Sequence, residues 1–343
     1  MKALVLEEYN KLVYKDVPVP EIAENEVLIK VMACGICGSD VHGLDGSTGR
    51  RIPPLIMGHE ASGVIADTGR NVSGWKKGDR VTFDSTVYPL EDWYTLRGFY
   101  NLSDNREVIG VSPGHYRRHG ALAEYVAVPS HILYRIPDNV SFEQAAMVEA
   151  AAVALHAVNI SGTLSGDVCL VTGAGTIGLF IIKLLRISGA SYMAAADLND
   201  KSLDMALKAG ADLACRPGDS QLEEGIRSQT GGRGADVSFE AVGLTETVDL
   251  SIGLTRKGGK VVLVGNRSPK IDFPLQKVVT GELKILGSCA IRGEYERILE
   301  LLASGKLAVD DQVAAVTPLK DGAEWFGKLY NKQTPPGKVI LIP

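Results

Sequence analysis

The segment VCLVTGAGTIG constrains the fold more than any other part of the sequence. An apolar, strand-like run leads into three glycines spaced G-x-G-x-x-G, and a helix-like stretch follows at once. In that context the first glycine permits a tight turn, the second lets backbone amides approach a pyrophosphate, and the third lets helix and strand pack closely. The helix N-terminus adds partial positive charge for the phosphates. The residues of this predicted dinucleotide site are Gly173, Gly175, Thr176, Ile177 and Gly178.

An acidic residue ends the next strand-like run, YMAAAD. An acid about 20 residues beyond the first glycine is expected to bind the ribose hydroxyls, and Asp197 lies 197 − 173 = 24 residues beyond Gly173. A carboxylate there repels a 2′-phosphate, so the sequence favours NAD over NADP. Later strands should also end beside the nicotinamide, which makes Val242 and Val264 further candidates.

The 343 residues predict about two domains. Residues 1–150 carry short apolar runs broken by Gly, Pro and Asp, which predicts an irregular β-rich domain. Residues 151–289 alternate strand-like and helix-like stretches, which predicts a doubly wound parallel sheet of the Rossmann type. Residues 290–343 end in the strand-like KVILIP, and we expect this tail to return to the first domain.

Metal-ligating residue types cluster near the N-terminus. Cys37 lies in ACGICGSDVHG, and His59 and Glu60 are adjacent in MGHEASG. Thiolate, imidazole and carboxylate together form an ordinary zinc ligand set, and a catalytic zinc keeps three protein ligands and an open position. Glu60 and Glu149 compete for the third place, and one of them could bind through water. We expect Asp40 to accept a hydrogen bond from His59 and so fix its orientation.

Composition excludes several classes of function. The net charge of −5 argues against a nucleic-acid-binding protein. No apolar run approaches the ~18 residues of a membrane span, so we expect a cytoplasmic protein. Five sparse cysteines do not indicate a disulfide scaffold. Ordinary packed or surface roles are expected for Cys34, His115, His119, His131 and His156.

Two arginine pairs leave the charge of the substrate open. Arg50–Arg51 and Arg117–Arg118 could bind an anionic substrate such as a sugar phosphate or a sugar acid. The favoured interpretation is that they are exposed and solvated.

The sequence resembles the zinc-dependent medium-chain alcohol and polyol dehydrogenases over nearly its whole length. The motifs that carry the resemblance, in order, are ENEVLIKV, CGICGSDVH, GHEASGVI, KKGDRV, GALAEYVAV, VEAAAVALHA, VTGAGTIGL, GGRGADVSFEAVG and GGKVVLVG. The resemblance implies an α/β protein with a GroES-like β-rich catalytic domain, a Rossmann NAD-binding domain and the active site in the cleft between them. It also implies a catalytic zinc on Cys37, His59 and Glu60, and a proton relay through Ser39 and His42.

The sequence departs from this family at two places. The cysteines that hold a structural zinc in the family are replaced by Pro89, Asp92, Thr95 and Ser103, so we predict one zinc per chain and a loop held by its own packing, with Trp93, Tyr94, Phe99 and Tyr100 as the packing residues. The Arg-Tyr pair that sorbitol-dehydrogenase-like members present to the substrate is displaced to Arg292 and Tyr295.

The resemblance implies oxidation of the secondary hydroxyl of a small polyol or sugar-like substrate by NAD, in a homodimer or homotetramer. Glu149 matches the acid found in sorbitol- and threonine-dehydrogenase-like members. Three alternatives stay open: an L-threonine 3-dehydrogenase-like enzyme, a non-catalytic NAD-binding relative, and a zinc-free quinone reductase that uses NADPH.

Overall fold

The computed structural model describes residues 1–112 and 117–343, so His115 lies outside the described residues. The strands are β1 Lys2–Glu8, β2 Lys11–Asp16, β3 Glu26–Gly35, β4 Leu55–Ile56, β5 Glu60–Thr68, β6 Arg80–Phe83, β7 Thr86–Val87, β8 Glu107–Val108, β9 Tyr125–Pro129, β10 Leu133–Arg135, β11 Val168–Thr172, β12 Tyr192–Ala196, β13 Leu213–Cys215, β14 Ala235–Glu240, β15 Thr255–Leu263, β16 Lys284–Gly287, β17 Val313–Pro318 and β18 Lys338–Ile342. The helices are α1 Gly38–Gly43, α2 Phe142–Ala146, α3 Val148–Ser161, α4 Thr176–Ser188, α5 Asp200–Ala209, α6 Ser220–Gln229, α7 Thr245–Leu254, α8 Leu275–Gly281, α9 Glu294–Ala303 and α10 Gly322–Tyr330.

The chain forms two compact units. The first contains Met1–Glu149 and Ile291–Pro343, and the second contains Ala150–Ala290. Strands of the first unit alternate buried and less buried side chains, as in β3, because one face of each strand packs on a shared apolar core. Among its described residues, no helix of either unit is long and apolar enough to cross a membrane.

The first unit is built around a mixed sheet of seven strands. Its main path runs β10-β6-β5-β3-β18-β17, with β9 also paired to β3. The C-terminal strand β18 lies antiparallel to β3, and Ile340 is opposite Gly35. On the other side of β3, Glu60 of β5 is also opposite Gly35. Residues from both ends of the chain therefore meet near Gly35, where β3 ends.

The second unit is a parallel sheet with the order β13-β12-β11-β14-β15-β16 and helices in the crossovers. This is the strand order of doubly wound dinucleotide-binding folds. The central strand β11 is buried at every position, as expected for a parallel strand covered on both faces. The predicted fold class, a GroES-like β-rich part and a Rossmann part, is confirmed.

Steric constraints differ among the three glycines of the loop between β11 and α4. Gly173 has φ of 96°, a conformation that L side chains rarely adopt. A Cβ on Gly178 would lie 1.8 Å from the Gly173 carbonyl oxygen, whereas one on Gly175 would meet no heavy atom within 4 Å. The first and third glycines are therefore required by the fold itself, and the second is not.

Replacing Gly178 with Ala is expected to lower the free energy of unfolding by about 1–3 kcal/mol, because α4 must move away from the loop. This loss exceeds the gain of up to ~1 kcal/mol in helix propensity. The matched control is Gly175→Ala, which should unfold like the wild type. Denaturation of the apo protein in urea measures both, and equal stability of the two variants would contradict the steric argument.

Candidate functional site

Three side chains of metal-ligating type converge in the first unit. Cys37 is the N-cap residue of α1, His59 immediately precedes β5, and Glu60 is the first residue of β5. The pairing of β3 with β5 sets Glu60 opposite Gly35, two residues before Cys37. One ligand atom from each side chain lies within 4.8 Å of the others. Among the described residues this is the one such group of three, and a soft thiolate, an imidazole and a carboxylate suit zinc.

His59 is oriented by a buried carboxylate. Its Nδ1 lies 3.5 Å from Asp40 Oδ2, and Asp40 is fully buried. Because Nδ1 faces Asp40, Nε2 is the ring nitrogen available to a metal ion. This is the arrangement that metal-bound histidines usually show.

Arg51 is buried rather than exposed, which contradicts the interpretation of this arginine as solvated. Its exposed fraction is 3%, and its Nε and Nη2 donate to Asp40 Oδ1 at 2.9 and 2.7 Å. Arg118 is likewise paired, with Glu26 and Glu107. Both arginines look exposed in the sequence because no local motif marks Asp40, Glu26 or Glu107 as their partners.

Glu60 carries a partner that the sequence analysis did not find. Lys338, the first residue of β18, donates from Nζ to Glu60 Oε1 at 2.7 Å, and both side chains are buried. Burial alone would lower the pKa of Lys338, but the Glu60 carboxylate outweighs it and the net shift is upward. A side chain on Gly35 would block this arrangement, since its Cβ would lie 2.4 Å from Glu60 Oε2.

Glu149, the competing carboxylate, lies on the first turn of α3. Ser85 Oγ donates to its Oε1 at 3.3 Å, and Glu149 is not a member of the group of three. Burial raises its pKa, His59 lowers it, and Glu60 raises it again. Burial also raises the pKa of the Cys37 thiol to about 12, so this sulfur keeps its proton unless a cation replaces it.

Ser39 and His42 both lie on α1. The Ser39 hydroxyl donates to Cys37 Sγ at 3.2 Å and accepts from Arg51 Nη2 at 3.0 Å. His42 lies three residues further along the helix and is exposed. The structure therefore places a hydroxyl beside the metal-ligating group and an imidazole at the surface of the same helix.

The loop that lacks the family cysteines is held by side-chain contacts. Tyr88 stacks on Tyr100 with ring centroids 4.3 Å apart, and the Arg97 guanidinium lies 4.0 Å from the Trp93 ring centroid. Asp92 Oδ1 accepts from the backbone N–H groups of Tyr94 and Thr95. Trp93 and Tyr94 also meet edge to face, with ring centroids 5.0 Å apart, and Phe99 lies under the Arg292 guanidinium. All four expected packing residues therefore make ring contacts.

Buried tyrosines and an aspartate surround this loop in the first unit. Tyr295 is fully buried, stacks on Tyr134 at 4.7 Å, and has no hydrogen-bond partner for its Oη. Tyr100 donates to Asp84 Oδ2 at 2.8 Å. Arg292 lies over the exposed ring of Phe99, whereas Tyr295 lies in the buried core against Tyr134. The two residues therefore do not form a pair.

In the second unit the predicted cofactor residues meet at the carboxyl ends of the strands. A Cβ on Gly173 would lie 2.5 Å from Val242 Cγ2. Asp197 accepts from the backbone N–H of Ala174 at 2.8 Å, and the α4 N-cap, Gly175, has no side-chain cap. The sequence analysis missed Glu240, a fully buried residue that accepts from Val242 N–H and whose carbonyl accepts from Val264 N–H. Uncapped N–H groups at the start of α4 are suited to phosphate.

Comparison with known proteins identifies the family. The profile of the zinc-binding dehydrogenases matches residues 176–304, and that of the alcohol dehydrogenase GroES-like domain matches residues 23–138. A D-xylulose reductase of Saccharomyces cerevisiae is 34% identical, with 95% of this chain and 93% of that protein covered. A D-arabitol-phosphate dehydrogenase of Enterococcus avium is 32% identical, with coverages of 94% and 91%.

A solved structure extends the likeness to the fold. It is described as a zinc-binding dehydrogenase from Sinorhizobium meliloti bound to NADP, with a TM-score of 0.90, 30% identity, and coverage of 100% of this chain and 99% of that one. The chain therefore belongs to the zinc-binding medium-chain dehydrogenases of the polyol dehydrogenase group. It is an oxidoreductase that uses zinc and a nicotinamide cofactor.

Asp84 should make the folded state less stable as the pH rises from about 4 to about 6. Burial raises the pKa of Asp84 from 3.8 to about 6, although hydrogen bonds from Thr86 and Tyr100 oppose the shift. Below about pH 4, Asp84 is protonated in both the folded and the unfolded state. Between about pH 4 and pH 6 it is protonated only in the folded state, so its contribution to the free energy of unfolding falls by about 3 kcal/mol as the pH rises.

Urea denaturation across this pH range measures the effect. Relative to the wild type, Asp84→Asn should change the pH dependence of the free energy of unfolding by about 3 kcal/mol over this range, and Asp104→Asn, an exposed acid in the same loop, should leave it unchanged. Identical pH dependence in the wild type and Asp84→Asn would show that Asp84 does not cause it.

Proposed function

We propose that this enzyme oxidises the secondary hydroxyl of a small polyol or sugar-like substrate and transfers the hydride to NAD. The observation that carries the proposal is the convergence of Cys37, His59 and Glu60 beside the Ser39 hydroxyl. The D-xylulose reductase and D-arabitol-phosphate dehydrogenase relatives support a polyol as the substrate. The proposal gives residues 1–150 and 290–343 the catalytic role and residues 151–289 the NAD-binding role, in a cytoplasmic homodimer or homotetramer.

The proposed zinc ligands are Cys37, His59 and Glu60, with Glu149 as the competing carboxylate. The donor types fit zinc, and the buried Glu60 carboxylate and His59 ring lie within reach of the Cys37 sulfur, with Lys338 Nζ 2.6 Å from Glu60 Oε2. When bound, zinc supplies Lewis-acid polarisation of the substrate hydroxyl, and NAD accepts the hydride. Asp40 holds His59 in orientation. Ser39 would accept the substrate's hydroxyl proton while releasing its own, and His42, at the surface of α1, would take up the released proton and pass it to solvent.

One zinc per chain is proposed, without a structural zinc. Asp92 already caps backbone N–H groups, and Pro89, Thr95 and Ser103 offer no thiolate. The loop instead has aromatic stacking and a cation–π contact.

Arg51 and Arg118, one arginine of each pair, argue against a phosphorylated substrate. Arg51 and Arg118 already donate to carboxylates, so binding a phosphate there would require breaking buried or half-buried ion pairs. An amino-alcohol oxidase of the L-threonine 3-dehydrogenase type would need a further carboxylate and cation for the substrate charges, and no observation favours it.

The proposal predicts about one zinc per chain and NAD reduction with polyols. Both should be lost in Cys37→Ser, because a thiolate ligand is removed. Cys289→Ser should retain both. Elemental analysis gives the zinc content, and absorbance of NADH gives the rate with polyols, their phosphates, sugar acids and L-threonine. Two zinc ions per chain, turnover without zinc, or preference for L-threonine would each contradict the corresponding part of the proposal.

NAD should be preferred to NADP by at least about tenfold in kcat/KM, since Asp197 repels the 2′-phosphate. Asp197→Ser should reduce that ratio. Arg216, the arginine after β13, is exposed and makes two hydrogen bonds to the exposed Asp200. Asp212→Ser, which removes an acid elsewhere on the second unit, serves as the control. An NADP preference in the wild type would refute the cofactor assignment.

A further inference from the structure

A single buried guanidinium joins two parts of the proposed metal site. Arg51 donates twice to Asp40 Oδ1, and its Nη2 also donates to Ser39 Oγ at 3.0 Å. The remaining nitrogen, Nη1, lies 3.5 Å from the Arg50 carbonyl oxygen. All three nitrogens are therefore engaged within the protein, so Arg51 is not an open site for an anionic ligand.

The hydrogen bonds of Asp40 are divided between its two oxygens. Oδ1 takes both donors from Arg51, and Oδ2 is left to face His59 Nδ1 at 3.5 Å. Removing one partner of a buried ion pair leaves an uncompensated charge. Without Arg51, the Asp40 carboxylate could rotate or exchange its oxygens, and the orientation of His59 would no longer be fixed.

Ser39 is held in a similar way. Its oxygen accepts from Arg51, so its own hydrogen is directed to Cys37 Sγ. A guanidinium has donors in a fixed planar fork and can reach Asp40 and Ser39 at once, whereas a lysine ammonium is a point charge on a flexible stem.

Gly43 provides the space that Arg51 needs. A Cβ at residue 43 would lie 2.3 Å from Arg51 Cγ and 3.0 Å from Arg51 Cβ. The φ of Gly43 is not positive, so its backbone conformation does not require glycine. The contact with the stem of Arg51 is the steric reason for glycine here, and it gives a second way to displace the guanidinium.

We propose that Arg51 is a positioning residue, which orients His59 through Asp40 and orients the Ser39 hydroxyl directly. This inference rests on the proposed zinc site, because the hydrogen bonds from Arg51 to Asp40 and Ser39 act only by orienting residues of that site. The role has two separable parts. Loss of the Asp40 contact should weaken metal binding, and loss of the Ser39 contact should slow turnover of an enzyme that still binds metal.

The first test measures Zn²⁺ affinity of the full chain by competition with a chelator, and the absorption spectrum of the Co²⁺-loaded protein. Arg51→Gln should weaken Zn²⁺ binding by about tenfold and alter the Co²⁺ bands. Tenfold is the lower end of the loss of affinity expected when a metal ligand loses its hydrogen-bond partner. Gly43→Ala should weaken binding in the same direction while keeping every hydrogen-bonding group.

Arg118→Gln is the matched control. It removes a guanidinium paired to Glu26 and Glu107 in the same unit, with no contact to Asp40 or Ser39. Its Zn²⁺ affinity and Co²⁺ spectrum should equal those of the wild type. Thermal melting of each apo variant shows whether it folds. If Arg51→Gln does not fold, the Zn²⁺ affinity of a normally folded Gly43→Ala protein decides the test.

The second test separates the two contacts. Arg51→Lys retains a cation for Asp40 and should keep Zn²⁺ affinity within about threefold, which is less than 1 kcal/mol. It should lower kcat by at least tenfold with little change in KM, because the Ser39 hydroxyl is no longer fixed. Unchanged metal affinity in both Arg51→Gln and Gly43→Ala would refute the positioning role of Arg51 but would leave the proposed zinc site standing. A wild-type protein that takes up neither Zn²⁺ nor Co²⁺ would refute the zinc site itself.

Discussion

Buried charge at the end of β3 is the constraint on which the first unit depends. Asp40 and Glu60 are each less than 2% exposed, and each faces a buried cation, Arg51 or Lys338. Ion pairs in the interior are costly unless their geometry is good and their remaining hydrogen-bonding positions are filled. Here Asp40 Oδ2 lacks a hydrogen-bond donor and faces His59, while Lys338 Nζ lies within 2.7 Å of both oxygens of Glu60, which is grouped with Cys37 and His59. A divalent cation would complete the charge compensation that the two side-chain cations begin.

The sheet topology brings one of these cations to its acid. Lys338 reaches Glu60 because β18 lies against β3, which brings residues 278 positions apart into one ion pair. Gly35 lies between the two neighbouring strands and leaves room for the Glu60 carboxylate. The C-terminal strand therefore adds a charged residue to the site as well as an edge to the sheet, and the apolar residues of VILI anchor that charge by packing in the core.

Features encoded locally could be predicted from the sequence, and distant pairings could not. The glycine spacing, the following helix and the strand alternation predict the parallel sheet, and Cys37, His59 and Glu60 belong to short motifs that mark them as ligand types. Arg51 and Lys338 have no comparable signal. An arginine in GRRIPP resembles a solvated residue, and a lysine before VILIP resembles the polar start of a strand. The register of β3, β5 and β18 brings Lys338 to Glu60, and the loop after α1 brings Arg51 back to Asp40 on that helix.

The second unit uses carboxylates differently. Glu240 is fully buried, yet its Oε1 accepts from the backbone N–H groups of Val242 and Gly243 and has no side-chain cation there. Asp197 similarly accepts from Ala174 and Asn199. Backbone donors therefore hold these carboxylates without a side-chain cation. Asp197 supports the glycine loop and supplies a negative charge beside it, so a substitution at this position also alters the support of that loop.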